Sequence, residues 1–278
     1  MEVIVAKTAG FCFGVKRAVE KVYANVDKEH VYTYGPIIHN EQVVADLEKH
    51  GVRVVEEDTD LTQLSEGTIV VRAHGASRAE FDRLMECGMQ IEDATCPFVS
   101  KIYRIVEEES KAGRTVIIVG NAAHPEVRGI RGWSGEDTYV VGSIEEANNL
   151  NILAKNISIV SQTTFNLKKF KEIVEIFEKK GYDIKCLNTI CNATEVRQTE
   201  ARQIASQVDA MIVIGGKNSS NTQKLFEICK EECSNTYYIQ TAEDLDYTAI
   251  RGMQRIGITA GASTPKNIIE EVQTRCQI

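Results

Sequence analysis

Three cysteines stand where a thiol can do chemistry: Cys12 in AGFCFGVKRAVEKVYANV, Cys96 in DATCPFVSKIYRIVEEESK and Cys191 in NTICNATEVRQTEARQIASQ. Each follows a short non-helical approach and opens a helical pattern. In the second stretch Val99, Ile102, Ile105 and Val106 share an apolar face, and Pro97 suits a first helical turn. In the third, Ala201, Ile204 and Ala205 form a smaller face, and Thr194 with Arg197 or Gln198 is a weaker helix-start signal. Helix N-termini favour thiolates, and converging N-termini favour an anion such as phosphate. Three thiolates can hold zinc, or three irons of a cubane cluster, with one position open for chemistry. Zinc sites usually pair their cysteines closely, and none of these three has a close partner. Spacing alone leaves an iron–sulfur centre, zinc and plain core thiols open. Of the remaining cysteines, Cys87 precedes Gly88 near a helix end, and Cys186 sits in a strand pattern. Cys229 and Cys233 are spaced as half a site but read as packing thiols, and Cys276 has no evident role.

His39, His74 and His124 all lie in polar loops that follow apolar runs, where they could donate hydrogen bonds to a phosphate. His30 and His50 read as a superficial group and a helix terminus. Ser219, Ser220 and Asn221 in GGKNSSNTQKLF, and Ser263 and Thr264 in GASTPKNIIEE, either cap helices or add donors to an anion pocket. Neither stretch is a P-loop, and MIVIGG lacks the full dinucleotide-binding signature. Glu126 follows HP in NAAHPE; it is an exposed loop acid or, beside a buried anion, a proton donor. Thr163 and Thr164 in SQTTF either cap a helix beginning near Asn166 or orient a substrate hydroxyl and relay a proton.

The elements that must position these residues alternate between strand and helix. HVYTY, TIVV, TVIIV, ISIVS, AMIVI and RIGIT read as strands ending in polar loops, separated by patterns such as NEQVVADLEKHG and LKKFKEIVEIFEKKG. Mostly parallel sheets covered by helices follow, with ligands beyond the carboxyl ends of the strands. The spacing of Cys12, Cys96 and Cys191 predicts three similar α/β units: 13–95, 96–190, and 191–278 completed by residues 1–12 through the strand EVIVA. Each unit offers two polar strand-end loops and one cysteine, and a pseudo-threefold arrangement would gather them around a central cavity.

The 278 residues carry a formal charge of -8, with 43% apolar and 26% charged residues, which fits a folded protein and argues against a nucleic-acid partner. The start MEVIVAKTAGFCFGV lacks a signal-peptide pattern and no run is long enough to span a bilayer, so a cytoplasmic protein without membrane association is expected. Eight cysteines there do not suggest a disulfide framework.

In order and spacing, GFCFGVKRAV, GPIIHN, RAHG, DATCP, GNAAHPEV, SQTT, CNAT with RQ, and GGKNSSNT resemble the 4-hydroxy-3-methylbut-2-enyl diphosphate reductases, iron–sulfur enzymes that end the non-mevalonate isoprenoid pathway. The resemblance covers essentially the whole chain. It implies one [4Fe–4S] cluster on Cys12, Cys96 and Cys191 with a substrate-accessible fourth iron, inside three α/β units around a central cavity. It implies a diphosphate pocket of His39, His74, His124, Ser219, Ser220, Asn221 and Ser263, with Glu126 as proton-transfer carboxylate. Thr163, with Thr164 beside it, would lie near the substrate alcohol. The implied reaction is reductive dehydroxylation to isopentenyl and dimethylallyl diphosphate, with two electrons from reduced ferredoxin or flavodoxin and two protons; a monomer is sufficient for it. Two other readings remain: a zinc-dependent enzyme acting on a phosphorylated metabolite, with the same three cysteines and anion loops, and a non-catalytic phosphometabolite-binding protein, with the pocket but no metal.

Overall fold

A computed structural model describes residues 1–277. Their strands and helices follow in the order β1 (Glu2–Val5), α1 (Phe13–Tyr23), β2 (Val31–Tyr34), α2 (Glu41–Lys49), β3 (Arg53–Val55), β4 (Thr68–Val71), α3 (Arg78–Glu86), β5 (Gln90–Asp93), α4 (Pro97–Lys111), β6 (Thr115–Val119), α5 (Pro125–Trp133) and β7 (Thr138–Val141). The second half continues with α6 (Ile144–Asn149), β8 (Asn156–Ser161), α7 (Leu167–Lys179), β9 (Asp183–Cys186), α8 (Asn192–Ala205), β10 (Ala210–Ile214), α9 (Ser220–Glu232), β11 (Thr236–Ile239), β12 (Arg255–Ala260) and α10 (Lys266–Cys276).

Among the described residues the strands form three four-stranded sheets, β3-β2-β4-β5, β7-β6-β8-β9 and β11-β10-β12-β1. Every strand pair is parallel. The three share one order. The first strand of each set lies inside the sheet, flanked by the second and third, and the fourth forms the far edge. In the last sheet the chain's own first strand takes that edge, with Val5 paired to Ile258. The central strands VYTY, TIVV, TVIIV and AMIVI are buried at every position, as continuous β-branched runs covered on both faces should be. No helix among the described residues is long and apolar enough to cross a membrane.

The contact pattern divides the chain into two compact units. One holds Met1–Lys16, Ile38–Ala45 and the residues from Cys191 on, and so contains the sheet closed by β1. Its core gathers Ile212, Ile214, Ile256, Ile258, Ile269 and Val272. The other holds Arg17–Ile37 and Asp46–Ile190, with the remaining two sheets. Within it Trp133 at the end of α5 stacks on Tyr103 of α4 and donates its indole N–H to the Ala76 carbonyl at 2.9 Å.

Candidate active site

Parallel sheets bind ligands beyond the carboxyl ends of their strands, above all where neighbouring connections leave in opposite directions. In each sheet that place lies between the first and third strands of its set. The loops that leave those six strands carry His39 and His74, His124 and Thr163, and Ser219 and Ser263. The fourth, edge strand of each set leads to a cysteine: β5 to Cys96, β9 to Cys191 and β1 to Cys12.

Cys96 and Cys191 are the N-caps of α4 and α8, and neither makes a side-chain capping bond. Cys12 directly precedes α1, and its carbonyl accepts the Lys16 N–H at 2.9 Å. All three are half-buried. α8 therefore starts three residues before the Thr194 signal. The Cys191 carbonyl accepts the N–H groups of Thr194 and Glu195, which places Thr194 inside the first turn. The other cysteines differ in setting. Cys87 closes α3 and donates its thiol to the Leu84 carbonyl at 2.9 Å. Cys229 and Cys276 are buried, and burial pushes their thiols up to about 12 and about 11. Cys233 is buried at the C-cap of α9, and Cys186 is exposed at the end of β9. Soft thiol donors at three helix N-termini are the chemistry an iron–sulfur cluster requires.

In the unit closed by β1, the Cys12 N–H donates to the Ala262 carbonyl at 3.2 Å, and the Ala262 N–H donates to Asn221 Oδ1 at 3.0 Å. Asn221 Nδ2 is buried with no hydrogen-bond partner among the described residues, a donor aimed at nothing the chain supplies. Ser219 caps α9, with its Oγ accepting the Thr222 N–H, and Ser220 is the first helical residue. Ser263 does not cap α10, whose N-cap is Pro265. Its hydroxyl instead donates to the His39 carbonyl at 3.1 Å, while Thr264 donates to the Ile214 carbonyl. Gly216 keeps this approach open, because a Cβ there would stand 2.7 Å from the His39 carbonyl oxygen. Asn221 is thus reached from Cys12 through a single backbone link.

In the other unit, His74 and His124 meet edge to face with ring centroids 5.3 Å apart. His124 is the N-cap of α5, where its Nδ1 accepts the Glu126 N–H at 3.2 Å. That bond fixes the neutral tautomer and leaves the proton on Nε2. The His74 loop turns on Gly75 at φ +75°, where a Cβ would lie 2.2 Å from the Tyr103 hydroxyl. That hydroxyl donates to the His74 carbonyl at 3.1 Å. Glu57 bridges the two histidine loops from behind: its Oε1 accepts from buried Arg72, two residues before His74, and from Arg128, four after His124, both at 2.6 Å.

Glu126 is 2% exposed, so the exposed-acid alternative does not hold. Its Oε1 accepts the Thr163 N–H at 2.5 Å and its Oε2 the Thr163 hydroxyl at 2.8 Å. Burial pushes the carboxyl up to about 7, against the lowering effect of those two bonds. A neutral acid near pH 7, bonded to a hydroxyl, can pass a proton outward through that hydroxyl. Thr163 is therefore not a helix cap; Asn166 caps α7. Thr164 instead takes a bond from Gln162 Nε2 at 3.0 Å. Gln162, Tyr103, Arg72 and Glu57 were not among the residues singled out by sequence. Gln162 and Arg72 stood inside the quoted SQTT and RAHG, but nothing local shows what their side chains reach.

The LytB protein family matches residues 3–277. A 4-hydroxy-3-methylbut-2-enyl diphosphate reductase of Caldanaerobacter subterraneus subsp. tengcongensis is 49% identical over 276 residues, covering 98% of this chain and 95% of that protein. One from Geobacter sulfurreducens is 47% identical over 278 residues, covering 100% and 97%. Among solved structures, the E-1-hydroxy-2-methyl-but-2-enyl-4-diphosphate reductase of Plasmodium falciparum superposes with a TM-score of 0.93 at 29% identity, covering 99% of this chain and 87% of that one. A second, (E)-4-hydroxy-3-methyl-but-2-enyl diphosphate reductase, described as the terminal enzyme of the non-mevalonate pathway, gives 0.70 at 42% identity, covering 100% and 99%.

Proposed function

The chain belongs to the LytB protein family, and from that premise we propose that it reduces (E)-4-hydroxy-3-methylbut-2-enyl diphosphate to isopentenyl and dimethylallyl diphosphate. Two electrons and two protons enter, the allylic C–O bond breaks, and the hydroxyl leaves as water. The relatives' activity is a reduction, which redox-inert zinc does not supply. The three α/β sets serve as domains 13–95, 96–190, and 191–278 with residues 1–12.

Cys12, Cys96 and Cys191 would hold one [4Fe–4S] cluster. When bound, it supplies electrons one at a time and a Lewis-acidic iron. The electrons come from a reduced ferredoxin or flavodoxin, since the chain carries no flavin or nicotinamide signature. The diphosphate is bound by His39, His74 and His124 and by the donors of Ser219, Ser220, Asn221 and Ser263. The Nε2 proton left to His124 by its Nδ1 bond and the unpartnered amide of Asn221 support this assignment. Thr163 orients the substrate hydroxyl, with Thr164 beside it. Glu126 delivers a proton through Thr163 so that water rather than hydroxide departs. Burial of this pair excludes bulk water from the proton path.

The observation that carries this reading is the buried Glu126–Thr163 pair, an acid poised near 7 in the same loop as His124. The test is anaerobic purification with iron and acid-labile sulfide analysis, followed by turnover with a reduced artificial donor. Near four irons and four sulfides per chain, with both products formed, is expected for a [4Fe–4S] enzyme. Stoichiometric zinc without sulfide after reconstitution, and no reduction of the diphosphate, would overturn it.

A further inference from the structure

Arg197 lies in the second turn of α8, six residues after Cys191, and is 3% exposed. Its Nη1 donates to the Ala260 carbonyl at 2.7 Å and its Nη2 to the Gly10 carbonyl at 2.9 Å. Its Nε is buried with no hydrogen-bond partner among the described residues. Gly10 is two residues before Cys12, and Ala260 is the end of β12, two residues before the carbonyl that receives the Cys12 N–H. One planar fork on the Cys191 helix thus holds both sides of the Cys12 loop.

No carboxylate among the described residues is hydrogen-bonded to this guanidinium. Glu200, one turn further along α8, spends its oxygens on the Lys7 and Thr8 N–H groups and the Thr8 hydroxyl. Its charge still acts on Arg197, as do Cys12 and Cys191 when they are thiolates, Cys12 most of the three. A buried guanidinium without a counter-charge is strongly disfavoured. Two carbonyls take up Nη1 and Nη2, Nε stays without a partner among the described residues, and Glu200 offsets part of the charge without bonding to it. Cys12 and Cys191 add negative charge beside the guanidinium once they are thiolate ligands.

We propose that Arg197 is a positioning residue for the cluster: it fixes the Cys12 loop to the Cys191 helix and sets one permanent positive charge beside both thiolates, favouring the reduced, more negative state. The inference rests on the cluster assignment made above. Net charge around an iron–sulfur cluster is one of the determinants of its potential. Arginine suits both tasks, since its fork spans two carbonyls and its charge survives burial.

The test compares anaerobically loaded wild type, Arg197→Lys and Arg197→Gln, with iron and sulfide content, the EPR spectrum and the cluster midpoint potential as readouts. Arg197→Gln loses the charge and should shift the reduced-to-oxidised ratio about tenfold towards oxidised, a midpoint about 59 mV lower for one electron. Arg197→Lys keeps the charge but not the fork. It should stay at the wild-type potential while losing cluster faster on anaerobic gel filtration. A purely structural arginine would lower loading in both variants without moving the potential of the cluster that remains. Wild-type potential in Arg197→Gln, or equal shifts in both variants, overturns the proposal. If Arg197→Gln holds no cluster while Arg197→Lys loads at the wild-type potential, the charge is what the site requires; loss of the cluster in both variants overturns the proposal. A wild type that assembles no cluster overturns the assignment on which it rests, and the proposal with it.

Discussion

Glu126 can act as an acid near neutrality because burial, not a neighbouring charge, raises it. Glu126→Gln keeps the shape and an acceptor for the Thr163 N–H, and the His124 cap depends only on the backbone N–H of residue 126. The variant should therefore fold and keep its cluster while turnover falls about a hundredfold to ten-thousandfold. Wild-type turnover should decline as pH rises through about 7, where the folded-state acid gives up its proton, and that limb should vanish in the variant. Stability carries the same sign. The folded pKa stands above the unfolded one, so the folded state holds the extra proton between the two values, and the stability it confers is lost as pH rises through about 7. Glu126→Gln lacks this loss and should gain about 3 kcal/mol relative to wild type between pH 4.5 and 7. Urea unfolding across that range measures it, and a flat difference would exclude the buried acid. Sequence placed both residues in strand-end loops, but their pairing across 37 positions is a tertiary fact no local pattern encodes.

At the scale of the element, the cysteines are distinguished by where their helices begin. Cys96 opens α4 with Pro97 behind it, whereas Cys87 closes α3 and is already bonded to the Leu84 carbonyl. Cys96→Ser should abolish most cluster assembly; Cys87→Ser should leave iron and sulfide content near wild type. Equal loss in two folded variants would remove the assignment. The α4 start was legible because proline permits a first turn and no interior one. The α8 start was not, because cysteine is no recognised cap and Thr194 offers a better local signal. Continuous runs such as TVIIV announce a central strand. The edge strand β5, QIED, carries three polar residues in four and shows nothing by pattern, yet it leads into Cys96.

For the molecule as a whole, the repeated sheet order explains how loops far apart in sequence come to the same kind of place. The expectation of three parallel α/β sets holds, because six β-branched runs separated by helical patterns admit few other solutions. The edge role of β1 makes a quantitative demand. Removing residues 1–5 should cost on the order of 3 kcal/mol, from lost ladder bonds and the partial burial of Val3 and Val5. Unchanged thermal unfolding in that truncation would show that the edge contributes little. The pairing of Glu2 with Arg255 also sets a timetable. β1 must wait until β12 is made before it has a neighbour. A nascent chain halted ahead of β12 has β1 without its strand partner, Cys12 without the Ala262 carbonyl, and Arg197 with only the Gly10 half of its fork. Other segments can fold as they emerge, but this sheet closes only once β12 is made, and under the cluster assignment proposed above the loading of Cys12 waits with it.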